Sequence, residues 1–219
     1  MIIIDTKASD YKIIDGITNI PLYDFKPLKY KIRNTDYTDF IFQSTQAVLK
    51  FSNHINLLKK KNIRVYAMGH TTSEVLSSFG IESISPDKPG SRHLINILKE
   101  NIDNRKFLIV KGSSGLNDIY KFLKKSDVFS EEINVYERIE LKDYKDLKNK
   151  FNSADAIIFP SVYAIEIFLR EIHTKNTNIK LFCVSDRILQ ELNKRGQSGF
   201  ILDNYFSSND LIKEIKGSI

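Results

Sequence analysis

The stretch DFIFQSTQAVLK (Asp39 to Lys50) and its continuation FSNHINLLKKKNIRVYAMGHTTSEVLSSFG (Phe51 to Gly80) decide the fold. A degraded second copy returns as DAIIFPSVYAIEIFLR (Asp155 to Arg170) and runs on to Gly196. Phe42, Ser44 and Phe51 match Phe159, Ser161 and Phe168 at an offset of 117. Val65, Met68, Leu76 and Gly80 match Leu181, Val184, Leu192 and Gly196 at an offset of 116, so one residue has been lost. Each copy reads as apolar strand, small hydroxyl residue, amphipathic helix, second apolar strand, loop and second helix. Two similar lobes are expected.

Working outward, Met1 to Ile4 is an apolar run of the kind found in buried parallel strands. The segment Ala8 to Asn19 is hardly long enough for a crossover helix plus a strand, and Ile20 to Phe25 resumes strand character until Pro27. In the first copy Gln43 to Lys60 carries Ala47, Val48, Phe51, Ile55 and Leu58 at helical spacing, with Ser44 where an N-cap is wanted. Ile63 to Met68, Phe107 to Val110 and Ile133 to Tyr136 read as strands, Thr71 to Phe79 as a helix closed by Gly80, and Ser91 as the cap of a further helix. The second copy repeats the plan with Ala156 to Phe159, Ser161 to Ile172, Ile179 to Val184 and Arg187 to Arg195, before a closing helix at Leu211 to Ile215. Strands alternating with helices at these intervals imply parallel sheets covered on both faces. The second sheet lacks an early strand, and Met1 to Ile4 with Ile20 to Phe25 are its natural donors. The reading is therefore a discontinuous lobe of residues 1–25 and 140–219 and a continuous lobe of residues 28–135. Two connectors, near Lys26 and near Arg138, would form a hinge.

The chain has 219 residues, of which 42% are hydrophobic and 27% charged, enough for two small cores. A net charge of +6 points to an anionic partner, although Lys59 to Lys61 and Lys124 with Lys125 fall at helix C-termini, where cations suit the dipole. The single cysteine, Cys183, sits in an apolar run and is read as a small buried hydrophobe in a reducing cytoplasm. Met1 to Ile4 is too short for a signal peptide, and no run of roughly 18 apolar residues is present to span a bilayer. A soluble cytoplasmic protein is expected.

Ligands of open α/β sheets gather beyond the carboxyl ends of the strands. Those ends carry Thr6 with Lys7, Ser44 with Thr45, Gly69 with Thr71 and Thr72, Lys111 through Gly112, Ser113 and Ser114, and Ser161. This set of hydroxyls, glycines and lysines, read as facing a cleft between lobes, suits a ligand with several negative groups. The alternative, that Ser44, Thr71 and Ser161 serve only as N-caps, stays open. Gly112 and Gly115 match neither a dinucleotide fingerprint nor a Walker loop, so no nucleotide cofactor is expected. His54, His70, His93 and His173 show no metal-ligand spacing, and no histidine is placed by sequence to activate Ser44 or Ser161. Basic residues interleaved with aromatics do not cluster as a nucleic-acid binder requires.

Taken together these residues resemble the uroporphyrinogen-III synthase family. The family's strand ending in Phe-x-Ser is matched by Phe42, Ser44, Ala47 and Val48, and again by Phe159, Ser161, Ala164 and Ile165. Its Gly-x-x-Thr turn is matched by Gly69 and Thr72, and its Val-Tyr pair with a nearby Arg by Val135, Tyr136 and Arg138. The order holds from Ile20 to the C-terminus. The chain departs from the pattern at Ser185 and Ile188, which replace the second turn's glycine and threonine. It departs again at Leu116, where an arginine usually follows the loop glycines, at Lys111, which replaces an arginine before them, and at Thr6-Lys7, where Thr-Arg is usual.

The resemblance implies two flavodoxin-like parallel-sheet lobes, the N-terminal strand pairing with the C-terminal lobe. It implies a cofactor-free lyase that closes hydroxymethylbilane with inversion of its fourth pyrrole ring, in haem biosynthesis. Tyr136 would assist departure of the substrate hydroxyl. Thr6, Lys7, Ser44, Gly69, Thr71, Thr72, Lys111, Gly112, Ser113, Ser114, Arg138 and Ser161 would bind the substrate. A monomer receiving hydroxymethylbilane in a transient handover from its synthase, with no nucleic acid, membrane or metal, completes the expectation. Two rivals remain: a non-catalytic two-lobed binder of a small anion, favoured by Ser185 and Ile188, and a nucleotide-binding flavodoxin-like pair.

Overall fold

The computed structural model describes residues 1–8, 14–34, 36–100, 102–173, 178–203, 205 and 210–218. Along the chain run β1 (Ile3–Asp5), β2 (Thr18–Asn19), β3 (Tyr23–Pro27), β4 (Asp39–Phe42), α1 (Thr45–Phe51), β5 (Arg64–Ala67), α2 (His70–Ser78) and α3 (Ser91–Leu98). There follow β6 (Lys106–Gly112), α4 (Asp118–Lys125), β7 (Phe129–Glu140), α5 (Lys145–Asn152), β8 (Ala156–Phe159) and α6 (Val162–Ile167). The last elements are β9 (Lys180–Cys183), α7 (Asp186–Lys194), β10 (Phe200–Ile201) and α8 (Leu211–Gly217). The chain divides into two compact units. Unit 1 comprises Met1–Asp24 with Ile139–Ile219, and unit 2 is Phe25–Arg138. The chain passes from one unit to the other along β3 and along β7.

Unit 1 holds a five-stranded sheet in the order β2-β1-β8-β9-β10. All four ladders are parallel, with Ile3 opposite Ala156 and Ile158 opposite Phe182. That register stacks Ile3, Ala156, Ile158 and Phe182 on one face, where Leu202, Tyr205, Leu211 and Ile215 cover them. On the other face α6 runs on as a π-helical turn, Phe168–Ile172, and Phe168 packs against Phe151 and Phe159 with ring centroids 5.8 and 5.2 Å apart. The near-continuous apolar runs Ile3-Ile4 and Ala156 to Phe159 follow from this two-sided burial.

Unit 2 holds a second five-stranded sheet in the order β5-β4-β6-β7-β3, and its β4/β5, β4/β6 and β6/β7 ladders are parallel. Ile41 lies opposite both Tyr66 and Ile109, so these three share a face, packed with Leu94, Leu98, Ile119 and Leu123. Phe40 and Phe42 point the other way and meet Phe51 of α1 at 6.1 and 5.3 Å. Unit 1 has the doubly wound order 2-1-3-4-5. In unit 2 the fifth place is filled by β3, which precedes the other strands in the chain. The repeat is visible in detail: Gly80 and Gly196 close α2 and α7 with φ of +72° and +76°, a conformation that penalises any Cβ.

Three expectations about elements change. Ile20 to Phe25 is not one strand of unit 1. Thr18–Asn19 pairs with β1, whereas Tyr23–Pro27 adds to the sheet of unit 2, because Pro21 between them has no N–H to carry a ladder on. The helix from Gln43 to Lys60 is α-helical only to Phe51 and tightens to a 3-10 helix over Ser52–Lys59, where Ser52, Asn53 and His54 are weak helix formers. Gly90, not Ser91, is the N-cap of α3. Residues 9–13, within the short segment after β1, lie outside the described residues.

Candidate active site

In unit 2 the carboxyl ends of β4, β6 and β7 meet at a Ser–Tyr pair. Between Lys111 and Gly112 the β6/β7 register shifts, which sets Gly112 opposite Tyr136. A Cβ at Gly112 would lie 2.5 Å from Tyr136 Cε2, 2.6 Å from Cζ and 2.9 Å from the hydroxyl oxygen, so only glycine lets the ring lie across this backbone. The Ser113 N–H donates to the Tyr136 carbonyl at 2.9 Å, and Phe25 meets the ring edge-on at 5.1 Å. The Tyr136 hydroxyl is thereby held 3.0 Å from Ser44 Oγ. Ser44 in turn caps α1 by accepting from the Ala47 N–H at 3.2 Å. Ser44 is therefore both a cap and a partner of the candidate tyrosine.

The loop after β6 is fixed from beneath by Lys111. Its ammonium is buried and donates to Glu132 Oε1 at 3.0 Å, to the Leu116 carbonyl at 3.3 Å and to Asn117 Oδ1. Gln43 also donates to the Leu116 carbonyl, at 3.2 Å, and the Gly115 N–H closes a turn on the Gly112 carbonyl at 2.9 Å. Ser113 and Ser114 stand exposed at the tip. Lys111 thus lies where the sequence places a cation, but its three donors are turned into the protein rather than outward.

At the end of β5, Gly69 is the N-cap of α2, and a Cβ there would meet Pro89 Cβ at 2.6 Å. Thr72 is buried and its N–H turns back to the Gly69 carbonyl at 3.0 Å, while Thr71 is half-buried. In the second copy Ser185 and Ile188 reproduce this turn, with Ile188 N–H to the Ser185 carbonyl also at 3.0 Å. Ile188 is buried as Thr72 is. The substitutions at Ser185 and Ile188 change side chains and leave the backbone path intact. Arg138, half-buried, closes unit 2 two residues beyond Tyr136.

In unit 1, Thr6 is wholly buried and its hydroxyl and N–H both donate to the Ile158 carbonyl, at 2.8 and 3.1 Å. The Lys7 N–H donates to Asp5 Oδ1 at 2.9 Å, and Asn19 Nδ2 holds the carbonyls of Asp5 and Lys7 at 3.0 and 2.8 Å. Asp5 Oδ2 accepts from the Tyr205 hydroxyl at 3.0 Å. Burial pushes the Asp5 carboxyl up, opposed by the Lys7 N–H, the Lys7 charge and Tyr205, and burial with the Asp5 charge pushes the Tyr205 phenol up. Ser161 caps α6 through the Ala164 N–H at 3.2 Å, and its Oγ lies 3.2 Å from the Tyr23 hydroxyl. The sequence reading missed Asp5, Tyr205 and Tyr23. Asp5 was detectable as the carboxylate next to Thr6-Lys7. The other two enter through contacts 200 and 138 residues apart, which leave no local signal.

Among the described residues, no group of three or more His, Cys, Asp and Glu is placed to hold a metal ion, and no helix is long and apolar enough to cross a membrane.

Comparison with known proteins bears on what these pairs serve. A uroporphyrinogen-III synthase from Helicobacter pylori superposes with a TM-score of 0.75 at 15% identity, covering 99% of this chain and 98% of that one. A mutant uroporphyrinogen III synthase from Thermus thermophilus superposes with a TM-score of 0.61 at 12% identity, covering 99% and 97%. No curated sequence matches significantly. At these identities the superpositions show the fold. The family model for uroporphyrinogen-III synthase HemD matches residues 17–216, a span that takes in Ser44, the Gly69 turn, the loop after β6, Tyr136 and Ser161. The chain therefore belongs to the uroporphyrinogen-III synthase family, cyclising lyases of porphyrin biosynthesis.

Proposed function

We propose that this chain closes hydroxymethylbilane to uroporphyrinogen III, inverting the last pyrrole ring through a spiro intermediate. The observation that carries the reading is the hydroxyl pair Tyr136–Ser44, held at 3.0 Å by the register shift and by the missing side chain at Gly112. An electron-rich pyrrole expels the neighbouring hydroxyl to give an azafulvene, so the step needs a hydrogen-bond donor at the departing oxygen rather than a strong acid. With Ser44 donating to the phenol oxygen, the Tyr136 hydrogen faces that oxygen and passes to the hydroxyl, which leaves as water. The pyrrole N–H proton released on azafulvene formation restores the phenol by way of solvent. The substituted carbon of the last ring then attacks the azafulvene carbon, giving the spiro centre. Its bond to the original methylene breaks to leave a second azafulvene, and the free carbon of the last ring closes on that methylene with loss of its proton. Spontaneous closure uses the other carbon and yields the unflipped isomer, so the protein's contribution is to hold the chain bent.

Carboxylate recognition falls in this proposal to the hydroxyls of Ser113, Ser114, Thr71 and Ser161 and to backbone N–H groups at Gly69, Gly112 and Ser114, with Lys7 and Arg138 as cations. Thr72, Thr6 and Lys111 shape the turns that present them. The anion-binder rival rests on the departures at Ser185 and Ile188, which alter side chains while the backbone turn is kept. Because the substrate also closes unaided, a handover from hydroxymethylbilane synthase to a monomer of this chain belongs to the same proposal. The test is the rate of hydroxymethylbilane consumption by wild type and Tyr136→Phe. A fall of roughly 10²-fold in kcat with KM little changed is expected. A variant as fast as wild type would remove Tyr136 from the mechanism.

A further inference from the structure

Unit 1 contains a second hydroxyl pair built like the first. Tyr23 opens β3, and Ser161 is the repeat counterpart of Ser44. Both serines have extended backbones, φ/ψ −165°/163° at Ser44 and −153°/150° at Ser161, and both accept an Ala N–H three residues on at 3.2 Å. Both lie within hydrogen-bond distance of a buried tyrosine, at 3.0 Å for Tyr136 and 3.2 Å for Tyr23. Both tyrosine rings are met edge-on by another aromatic, Phe25 at 5.1 Å and Tyr163 at 5.0 Å. Tyr23 lies outside the repeated segments, so duplication of the sequence did not carry it there.

The pair is also anchored. The Leu22 carbonyl, one residue before Tyr23, accepts from the Tyr144 hydroxyl at 2.9 Å, and that hydroxyl accepts from the Leu141 N–H at 3.1 Å. Tyr163, whose ring supports Tyr23, is tied to Glu140 Oε1 at 3.3 Å. A serine hydroxyl offers one hydrogen and two lone pairs. At Ser161 one lone pair is taken by the Ala164 N–H. Tyr23 lies within reach of the second lone pair, and when its phenol donates there, the order that an acceptor-only partner beside Ser161 selects, the serine hydrogen is left to point away from both. Half-buried Ser161 can offer that hydrogen only to an acceptor, and a carboxylate is the acceptor the proposed substrate carries. Donation from Tyr23 polarises the serine and strengthens the outward bond.

We propose that Tyr23 is a positioning residue for substrate recognition by unit 1, orienting the Ser161 hydroxyl hydrogen toward a substrate carboxylate. This rests on the reading of the chain as a hydroxymethylbilane cyclase. In unit 2 the departing hydroxyl orders the Ser–Tyr pair for chemistry. In unit 1 a carboxylate accepts only, so the same construction serves binding.

The test is a double-mutant cycle on the full chain with hydroxymethylbilane as substrate, using wild type, Tyr23→Phe, Ser161→Ala and the double variant, each checked by thermal melting. KM is expected to rise about ten- to a hundredfold in each single variant, the loss of a hydrogen bond to a charged group, with no further rise in the double variant and kcat little changed. An unchanged KM in Tyr23→Phe beside an active wild type overturns this inference alone, as do effects that multiply in the double variant. A Tyr23→Phe protein that melts earlier with unaltered KM assigns Tyr23 a packing role and also overturns it. Should Tyr23→Phe not fold, an unchanged KM in Ser161→Ala overturns it. Wild type that forms no cyclic product beyond the uncatalysed rate overturns the cyclase reading and this inference with it.

Discussion

Gly112→Ala tests the construction of the unit 2 pair. The added methyl would sit 2.5 Å from Tyr136 Cε2 and 2.6 Å from Cζ, and relief to an ordinary contact of about 3.4 Å requires the ring to retreat by roughly 1 Å. The ring cannot retreat freely, since Tyr136 is 5% exposed and Phe25 packs edge-on against it. A shift of that size takes the hydroxyl out of reach of Ser44. Overpacking costs about 1–3 kcal/mol and the lost hydrogen bond about 0.5–1.5 kcal/mol, so unit 2 should lose about 2–4 kcal/mol. At about 2.1 cal/mol/K per residue over Phe25–Arg138, the melting temperature should fall by roughly 8–16 °C. Misplacing the phenol by roughly 1 Å should also cost on the order of 10²-fold in turnover. Melting by circular dichroism and the rate of hydroxymethylbilane consumption read the two effects. Gly80→Ala is the control: its Cβ meets nothing within 4 Å, so it strains only φ, at +72°. It should cost about 1–2 kcal/mol and leave turnover of the folded protein unaffected. A Gly112→Ala protein that melts within about 2 °C of wild type, against the scale above, and turns over normally would refute the reasoning.

Three further outcomes follow from buried polar groups. Asp39 is wholly buried between Arg64 Nε at 2.9 Å and Arg105 Nε at 2.6 Å, so Asp39→Asn should lower stability by about 2–4 kcal/mol in urea unfolding. A change below about 1 kcal/mol, the size of a surface pair, would show that the arginines are satisfied by solvent instead. Burial pushes the Cys183 thiol up to about 12, so a thiol reagent at neutral pH should label the protein only after urea is added, and prompt labelling of the native protein would contradict the buried placement. The Asp5 carboxyl is raised above 3.8 in the folded state, so its favourable contribution is fully present below that pH and declines as pH rises through the folded value. Asp5→Asn, which mimics the neutral form, should therefore gain stability relative to wild type from about pH 4 upward, and a difference independent of pH would refute the assignment.

The duplication was legible because it rests on local patterns: apolar runs ended by Ser44 and Ser161, and helices ended by Gly80 and Gly196. Those patterns encode strand ends, caps and left-handed turns, and the structure uses them so. The placement of β3 was not legible, because Tyr23–Pro27 has the same apolar character whichever sheet receives it and Pro21 alone marks the change. The site was half visible. Hydroxyls at strand ends could be named from sequence, but their partners lie 92 residues away for Ser44 and 138 for Ser161. Lys111 shows the limit of reading charge without packing. A lysine before a glycine-rich loop suggests an anion grip, yet Glu132, Asn117 and the Leu116 carbonyl take its donors, and it becomes the support of the loop.

The central claim is that this chain controls which carbon of the last pyrrole closes the ring. The direct measurement is the isomer ratio of the product: generate hydroxymethylbilane from porphobilinogen in situ, add the purified protein, oxidise, and separate type I from type III porphyrin. The account predicts an excess of type III over the control without protein. Type I alone, from protein shown to be folded, would contradict it.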